Sequence, residues 1–321
     1  MTKKALIVGI SGQDGSLLAQ LLLKRGYKVF GTSRDAKKSN LKNLVKLNIL
    51  NKCKFFSLTL KDPKMILRCV KKVKPDEIYN LSGQSSVSLS FKEPRSTSNS
   101  IINPTLFFLE AIRKSKKKIK FYNACSSECF GSTGSKAANE NTPFRPKSPY
   151  GVSKATAFLI TKVFRESFGI FATSGILFNH DSSLRPDKFV TKKIIKGVVD
   201  IYKKKKNYLD LGNINIVRDW GWAEEYVKAM HLILQQEKPQ DFVIATGKSY
   251  ALRDFVKTAF KVLNLQWKKH VRISKHFVRP SDIKKSLGNP KKANNILKWK
   301  AKYTMKKIVN EMIKSELNKK I

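Results

Sequence analysis

A glycine-rich turn close to the N-terminus constrains the fold more than any other feature. Residues 5–8 form an apolar run that leads straight into Gly9, Gly12 and Gly15, and residues 17–24 then show helical spacing of their apolar side chains. A strand that turns at once into a helix aims free backbone N–H groups and the positive end of the helix dipole at one point, which suits a pyrophosphate. The turn therefore predicts the first unit of a dinucleotide-binding domain rather than a glycine turn without a ligand.

Short apolar runs alternate with helical stretches through the first half of the chain. The later runs predicted as strands are residues 27–31, 55–56, 77–81 and 119–124. The stretches predicted as helices are residues 63–72, 103–113 and 155–167. Strands separated by such helices are typical of parallel sheets, so the pattern predicts an α/β fold with a Rossmann doubly wound parallel sheet.

The second half of the chain is patterned more loosely. We predict a loop over 182–188 and C-terminal helices over 252–263 and 305–317. The 321 residues, 41% of them hydrophobic, suffice for one large unit or two unequal lobes. The expected division is a Rossmann domain over 1–178 with a returning segment near 212–246, and a smaller C-terminal substrate-binding lobe over 179–211 and 247–321.

The charge of the chain is unusual. Lys and Arg number 65 against 23 Asp and Glu, which gives a formal net charge of +42. Such an excess is typical of nucleic-acid-binding proteins. The lysines are nevertheless spread along the whole sequence, without a basic tail and without the interleaved basic and aromatic residues that stack bases. We therefore expect a solvated basic surface and no nucleic-acid partner, with a basic nucleic-acid-binding scaffold as the alternative.

Cysteines and histidines indicate neither a disulfide framework nor a metal site. The four cysteines lack the spacing of metal or redox motifs, and the four histidines are scattered. No apolar run reaches the roughly 18–20 residues of a membrane helix, and the first apolar run ends in glycines rather than at a cleavage site. We expect a cytoplasmic protein with reduced thiols, no bound metal and no membrane partner.

The end of the second predicted strand bears on the choice of dinucleotide. It reads Gly31-Thr32-Ser33-Arg34-Asp35. An acidic residue directly at this position would bind the ribose diol of NAD, whereas hydroxyl groups and an arginine suit a 2′-phosphate. Arg34 therefore favours NADP, and Asp35 leaves NAD open.

Tyr150 and Lys154 are spaced as neighbours on one face of a helix. A lysine beside a phenol favours the phenolate, so we expect a lowered pKa for Tyr150 and a role as a base near neutral pH. The spacing alone is common by chance. The position of the pair downstream of a Rossmann half-domain favours a functional pair over a chance one.

The fifth predicted strand ends Cys125-Ser126-Ser127-Glu128. Ser126 offers a hydroxyl group that can donate to a substrate oxygen. Hydride transfer needs no carboxylate, so Glu128 indicates a second proton transfer, either abstraction next to a ketone or elimination of water. The alternative is a carboxylate that only caps a turn.

The sequence resembles the extended short-chain dehydrogenase/reductases, and among them the GDP-mannose 4,6-dehydratase family. The glycine spacing of residues 9–15 is the short-chain dehydrogenase form of the phosphate loop. The other matching segments are 75–81 with 84–85, 121–128, 142–144, 148–151, 175–180, 189–194, 211–213, 218–221, 241–247 and 279–280.

The resemblance implies dehydration of a GDP-sugar by an NADP-dependent lyase that regenerates its cofactor. Tyr150 would take the proton of the 4-hydroxyl group, Ser126 would hydrogen-bond the 4-oxygen, and Lys154 would orient the cofactor ribose. Glu128 would remove the C5 proton and assist the loss of water from C6.

The resemblance also implies which residues bind the two ligands. Those expected at the cofactor are Gly9, Ser11, Gly12, Gln13, Asp14, Gly15, Arg34, Thr59, Leu81, Gln84, Tyr150, Lys154, His180 and Arg185. Those expected at the GDP-sugar are Ser85, Asn179, Lys193, Arg218 and Arg279. The family also leads us to expect a homo-dimer or homo-tetramer.

Several positions depart from the family's pattern. Thr59 stands where an aspartate usually reaches the adenine, and Ser86 and Trp222 stand where histidines are usual. The loop 182–188 keeps only Arg185 of a usual arginine pair. These departures leave open a dehydratase of another GDP-sugar, such as a GDP-heptose. An NDP-sugar 4-epimerase or 4-keto reductase is a further alternative, which the carboxylate two residues after Ser126 disfavours.

Overall fold

The computed structural model describes residues 2–33, 41–277 and 279–318. Its strands are β1 (Lys4–Val8), β2 (Lys28–Ser33), β3 (Lys54–Ser57), β4 (Glu77–Asn80), β5 (Lys120–Ser126), β6 (Ala172–Leu177), β7 (Asn179–Asp181), β8 (Leu209–Leu211), β9 (Val217–Trp222), β10 (Phe242–Ile244), β11 (Ser249–Ala251) and β12 (Val271–Ile273).

The α-helices alternate with these strands. They are α1 (Gln13–Lys24), α2 (Lys42–Lys46), α3 (Pro63–Val73), α4 (Val87–Lys92), α5 (Pro94–Arg113), α6 (Pro149–Phe168), α7 (Val190–Tyr202), α8 (Ala223–Leu234), α9 (Leu252–Val262), α10 (Trp267–His270), α11 (Lys291–Ile296) and α12 (Met305–Leu317). Short 3₁₀ turns lie at Leu50–Lys52, Ser127–Cys129 and Lys275–Phe277.

Seven strands form one parallel sheet in the order β10-β6-β5-β4-β1-β2-β3. In the central strand, Ala5 pairs with Val29 of β2 on one side and with Glu77 of β4 on the other. The strand order reverses between β1 and β4, which opens a crevice at the carboxyl ends of the strands where such sheets bind ligands. The predicted Rossmann doubly wound sheet is thereby confirmed.

Helices cover both faces of this sheet. Ala5 and Ile7 belong to the core formed with α1 and α8, whereas Leu6 and Val8 belong to the core formed with α3 and α5. All four side chains are fully buried. A strand buried on both faces has a continuous apolar run rather than an alternating pattern, which is why β1 was recognisable from the sequence.

A second core lies in the C-terminal half. Helices α7, α9 and α12 pack around a cluster that includes Phe255, Phe260 and Ile308. Two small sheets, β11-β9-β7 and β12-β8, accompany them. The chain also returns to the large sheet, because β10 pairs with β6 and Trp299, after α11, packs in the first core.

Two helices begin earlier than the sequence analysis predicted. Helix α6 starts at Pro149, where the Ser148 hydroxyl accepts a hydrogen bond from the Gly151 N–H at 3.0 Å. Helix α5 starts at Pro94 and continues through Pro104, next to which the sequence analysis had placed its beginning. Proline at the first helical position is pre-set for the helix, and tertiary packing tolerates the second proline.

Helices α7 and α8 were missed by the sequence analysis. In α7, Ile194, Ile195, Val198 and Val199 are buried at helical spacing, so a signal was present. Helix α8 is buried on most sides and lacks the contrast between faces on which periodicity depends. The loop predicted over 182–188 is confirmed. Within the described ranges no helix combines the length and apolarity needed to cross a membrane.

Candidate active site

The glycine turn between β1 and α1 presents backbone N–H groups to the crevice. Gly9 has φ +88°, and a Cβ atom there would lie 2.9 Å from the Leu81 carbonyl oxygen. A Cβ atom on Gly15 would collide with the Gly9 carbonyl oxygen. Gly12 is the N-cap of α1, and no side chain of the described residues caps this helix. The first-turn N–H groups thus remain available to an anion.

Side chains of the same turn are held by hydrogen bonds to β7 and to the loop that follows it. The Asp14 carboxylate Oδ2 lies 2.8 Å from His180 Nε2, and Gln13 Oε1 accepts from the Ser182 hydroxyl at 2.9 Å. Burial alone would raise the pKa of Asp14, but His180 holds it below its ordinary value. Burial lowers the pKa of His180 and Asp14 raises it, with a net increase. The pair locks the phosphate loop to the chain that follows β6.

Ser126 ends β5 at the carboxyl edge of the sheet. The chain then turns through Ser127–Cys129, and the Glu128 N–H donates to Ser126 Oγ at 3.3 Å. The Ser126 hydroxyl also hydrogen-bonds the Tyr150 phenol. The tight turn therefore brings the three side chains of Ser126, Glu128 and Tyr150 to one place, as the sequence analysis expected.

Tyr150 and Lys154 both lie in the first turns of α6 and are buried. Lys154 Nζ lies 5.9 Å from the centre of the Tyr150 ring and donates to the Ala124 carbonyl oxygen at 2.7 Å. The pair thus shares one helix face, as predicted.

The expected lowering of the Tyr150 pKa is wrong for this structure. Burial raises the pKa of Tyr150 above its ordinary value, although the hydrogen bond from Ser126 opposes the increase. Burial also lowers the pKa of Lys154. Desolvation of the phenolate therefore outweighs the lysine, whose ammonium group is directed to a backbone carbonyl rather than to the phenol oxygen.

Glu128 is partly buried, and no hydrogen bond to its carboxylate occurs within the described ranges. Burial raises the pKa of Glu128, Arg218 and Arg279 lower it, and Asp282 raises it, with a net increase. A desolvated carboxyl group without a fixed partner holds a proton at higher pH than an ordinary carboxyl group does, which suits a group that takes up and returns a proton. This is the property expected of an acid–base residue rather than of a turn cap.

Arg218 and Arg279 meet beside Glu128. Arg218, on β9, is 4% exposed and donates to the Ile283 carbonyl oxygen at 2.6 Å and to Asp282 Oδ1 at 2.7 Å. Arg279 donates from Nε to Ser88 Oγ of α4 at 3.0 Å. The two guanidinium groups lie on different segments of the chain, and the sequence analysis identified both but missed Asp282 and Ser88. The acid three positions after Arg279 was the available signal.

Other predicted cofactor residues lie around the crevice. Leu81 follows β4 and donates its N–H to the Val8 carbonyl oxygen at 3.0 Å. Gln84 donates from Nε2 to Thr97 Oγ1 at 3.0 Å, and Thr59 lies exposed after β3. Ser11 accepts a hydrogen bond from Asn43 through its carbonyl oxygen at 3.1 Å. Arg34 lies outside the described residues.

The remaining predicted residues lie on segments that are far apart in the sequence. Arg185 Nε lies 2.9 Å from Asp181 Oδ1, and its guanidinium covers the Phe189 ring at 3.7 Å. Lys193 Nζ lies 3.3 Å from the centre of the Phe277 ring. These contacts do not join either residue to Glu128. Asn179 begins β7 and is partly buried, and Ser85 is exposed.

A Rossmann sheet that carries Ser126 at the end of β5 and a Tyr-Lys pair on the next helix defines an extended short-chain dehydrogenase/reductase. The family model of GDP-mannose 4,6 dehydratase matches residues 6–312. The chain belongs to the GDP-mannose 4,6-dehydratase family.

Known proteins agree with this assignment in sequence and in fold. GDP-mannose 4,6 dehydratase 1 of Arabidopsis thaliana is 41% identical over 98% of this chain and 90% of its own length. The structure of dTDP-glucose 4,6-dehydratase from Bacillus anthracis with NAD superposes with a TM-score of 0.85 at 20% identity, over 98% of this chain and 96% of that one. RMD from Pseudomonas aeruginosa with NADPH gives a TM-score of 0.80 at 17% identity, over 99% and 100%.

Proposed function

We propose that this protein is a GDP-mannose 4,6-dehydratase, a hydro-lyase that converts GDP-mannose to GDP-4-keto-6-deoxymannose and water. The observation that carries the proposal is Glu128, a partly buried carboxylate with a raised pKa that lies beside the Ser126–Tyr150 hydrogen bond. An epimerase or reductase on this fold needs the serine and tyrosine but not the carboxylate. Family membership supplies the substrate class.

The residues of the first turn fit a nicotinamide dinucleotide. The uncapped N-terminus of α1 and the glycines at positions 9 and 15 make room for a pyrophosphate on backbone N–H groups. When bound, the cofactor accepts a hydride and later returns it, and its oxidised ring adds a positive charge to the site. Gly9 to Gly15, Leu81 and Gln84 would hold it on one side, and Lys154 on the other.

NADP is the form of the cofactor that we propose. Arg34 follows Ser33, the last residue of β2, where a guanidinium group can pair with a 2′-phosphate. Thr59, in place of the family's aspartate, adds no negative charge near this position. The remaining predicted cofactor contacts, including His180 and Arg185, stay proposals.

Tyr150 would receive the proton of the sugar 4-hydroxyl group. Its phenol is already hydrogen-bonded to Ser126, which can pass the same contact to the 4-oxygen. Because burial raises the phenol pKa, the phenolate would need a nearby positive charge, and Lys154 would supply it once a cofactor is bound. Once the 4-ketone exists, the hydrogen on C5 is acidified.

Glu128 would remove the C5 proton and protonate the departing C6 hydroxyl group, so that one water leaves. C5 would then regain a solvent-exchangeable proton, which balances the one that Tyr150 took from the 4-hydroxyl group. The raised pKa of Glu128 suits both directions of this proton transfer. Arg218 and Arg279 would hold the diphosphate bidentately, and Ser85, Asn179 and Lys193 would contact the remainder of the GDP-sugar.

The test is incubation of the purified protein with NADP and a panel of nucleotide sugars, followed by mass spectrometry. We expect GDP-mannose to lose one water without net consumption of NADP. In D₂O the product should gain one deuterium at C5, and GDP-mannose labelled with deuterium at C4 should carry the label to C6. Loss of water only from a GDP-heptose would reassign the substrate, and epimerisation without loss of water would reject the dehydratase.

We propose a homo-oligomer, a dimer or tetramer, as the working form. Val152, Leu159 and Val163 lie on one side of α6 and are 51%, 53% and 53% exposed. Three large apolar side chains on one helix face favour burial against another protein surface. Sedimentation of the wild-type protein and of a Leu159→Lys/Val163→Lys variant tests this, because a monomeric wild type would contradict it.

We propose a cytoplasmic location and no nucleic-acid partner. The four cysteines are free thiols, and Cys125 Sγ and Cys129 Sγ lie only 3.5 Å apart without a bond, which suits a reducing compartment. The lysines and arginines are spread along the whole sequence, without a basic tail. Salt-sensitive retention on DNA without turnover of any nucleotide sugar would contradict the second part.

A further inference from the structure

Asp282 lies at the centre of the arginine pair beside Glu128. Its Oδ1 atom accepts from Arg218 Nη2 at 2.7 Å, from the Ile283 backbone N–H at 2.9 Å and from Arg279 Nη1 at 3.4 Å. One oxygen atom therefore joins both guanidinium groups and is itself fixed by the backbone. The other carboxylate oxygen, Oδ2, makes no hydrogen bond within the described ranges.

Arg279 depends on this contact more than Arg218 does. Arg218 also donates to the Val217 and Ile283 carbonyl oxygens, which fix its guanidinium group without Asp282. The only other hydrogen bond of Arg279 in the described part of the chain goes to the Ser88 hydroxyl, which is exposed on α4. Because Oδ1 accepts from both guanidinium groups at once, this shared acceptor is what keeps Arg279 next to Arg218.

Both arginines keep donors free for a ligand. Within the described residues, Arg218 Nε and Arg279 Nη2 have no hydrogen-bond partner. A diphosphate presents several acceptor oxygens, and planar guanidinium groups bind such oxygens bidentately only when they are held at a fixed spacing.

We propose that Asp282 is a positioning residue that sets the spacing of Arg218 and Arg279 for the diphosphate of the nucleotide sugar. The identity of that ligand rests on the proposed function. The positioning acts through one oxygen atom, Oδ1, and not through the second oxygen.

This geometry predicts different results for two substitutions of Asp282. Asp282→Asn keeps an oxygen at the position of Oδ1 and places an amide nitrogen where Oδ2 has no hydrogen-bond partner. Asp282→Ala removes the shared acceptor. We expect the alanine variant to raise the Kd for GDP by about 10- to 100-fold, the scale of a lost charge-assisted hydrogen bond. The asparagine variant should stay within about threefold of wild type, because removal of the negative charge also favours an anionic ligand.

The binding measurement is isothermal titration of each full-length variant with GDP alone. A Kd for Asp282→Ala at least about threefold above that for Asp282→Asn supports the proposal, and any smaller ratio overturns it. Wild-type protein that does not bind GDP overturns it as well. Should Asp282→Ala fail to fold, Asp282→Ser replaces it under the same criterion, since a serine hydroxyl cannot reach both arginines.

A matched ion pair elsewhere controls for stability. Arg165 pairs with Asp241 through two hydrogen bonds of 3.0 and 2.7 Å at the edge of the large sheet. Asp241→Asn should lower the melting temperature and leave the Kd for GDP unchanged. If Asp241→Asn weakens GDP as much as Asp282→Ala does, the effect at Asp282 is merely structural and the proposal fails.

A pH profile gives a second readout. The charged or titratable groups that act on Glu128 are Arg218 on β9, Arg279 and Asp282 on the segment that follows β12, and Tyr150 on α6. Asp282 raises the pKa of Glu128, so Asp282→Asn should move the acidic limb of kcat to lower pH. An unmoved limb in an active variant would overturn this part.

Failure of the function and failure of the inference are distinguishable. If the wild type binds GDP but dehydrates no nucleotide sugar, the proposed function fails, and the GDP titrations still decide the role of Asp282.

Discussion

The two edges of the large sheet, at the amino and carboxyl ends of its strands, carry the same residue types. The two edges differ in how many hydrogen bonds these residues make. At the amino edge, Glu77, Tyr79 and Lys120 are grouped around the beginnings of β4 and β5. At the carboxyl edge, Glu128 and Tyr150 lie near Lys154. Glu77 accepts hydrogen bonds from Tyr27 at 3.0 Å, Tyr79 at 2.7 Å and Gln235 at 3.1 Å. Lys120 donates to two backbone carbonyl oxygens near the end of α8.

The carboxyl edge lacks this saturation. The Glu128 carboxylate has no hydrogen bond in the described ranges, and Tyr150 is hydrogen-bonded to the small hydroxyl of Ser126. A buried polar group with all its partners stabilises the fold, whereas one without them costs stability and is free to react. Residue type therefore does not distinguish the cluster at the amino edge from the proposed catalytic cluster at the carboxyl edge, whereas hydrogen-bond saturation does.

The largest effect is expected from Tyr150, with Tyr79 as its matched control. Tyr150→Phe should reduce turnover by more than about 10³-fold and prevent even the first reduction of NADP⁺, because the 4-hydroxyl proton then has no acceptor. Single-turnover NADPH absorbance measures this step. Tyr79→Phe, the matched change at the amino edge, should leave activity per folded molecule intact. Normal NADPH formation in Tyr150→Phe would remove the carboxyl edge from the reaction.

The next effect concerns the two glutamates. Glu128→Gln should lower product formation by about 10²- to 10⁴-fold while NADPH still accumulates, because oxidation at C4 proceeds and elimination stalls. The raised pKa of Glu128 means that its charged form destabilises the fold above that pKa. The same variant should therefore melt at an equal or higher temperature than wild type at pH 7, as followed by circular dichroism.

Glu77→Gln is the matched change at the amino edge. It should lower stability and leave activity unchanged. One amide oxygen cannot replace two carboxylate oxygens that accept three hydrogen bonds, so we expect about 1–3 kcal/mol less stability in urea unfolding. The kcat of the folded fraction should not change. Equal stability changes for Glu77→Gln and Glu128→Gln would break the distinction between the two edges.

A smaller effect is expected for the cofactor at the carboxyl end of β2. Arg34→Ala should weaken NADP binding by about 1.5–3 kcal/mol and hardly affect NAD, because only NADP carries the 2′-phosphate with which, in our proposal, the guanidinium group pairs. Fluorescence titration with both cofactors measures the difference. Equal losses for NADP and NAD would refute the assignment of Arg34.

The last effect is a pH dependence of stability at the amino edge, which is small at neutral pH. Burial, with a contribution from Arg25, lowers the pKa of His231 to about 4. The folded protein therefore holds His231 neutral, and its contribution to stability is present above the unfolded pKa of about 6.5 and is lost as the pH falls toward 4. We expect a loss of at most about 1.4 kcal/mol per pH unit in this window. His231→Gln should flatten the urea-unfolding profile between pH 6.5 and 4.5, and a parallel profile would contradict this.

Five of the seven strands of the large sheet, β1 to β5, were predictable because each is marked by a local pattern, whereas β6 and β10 were not predicted. The fully apolar run of β1 and the glycine turn after it mark a parallel sheet and a phosphate loop before any packing is known. Helix α8 was not predictable in this way, since it is buried on most of its surface. The start of α5 was hidden by Pro104, whose cost in a helix interior is overcome by packing against α3 and α6.

The sequence alone determined which residues could do chemistry, because Ser126, Glu128, Tyr150 and Lys154 occupy spacings that a strand end and a helix turn convert into one site. It also indicated the family, through motifs that run along most of the chain. Tertiary structure decided the energetics of these groups. Burial, rather than the neighbouring lysine, sets the pKa of Tyr150, and Asp282 meets Arg218 only because β9 lies beside the segment that follows β12. Desolvation and contacts between distant segments depend on how the whole chain packs, and no local spacing encodes them.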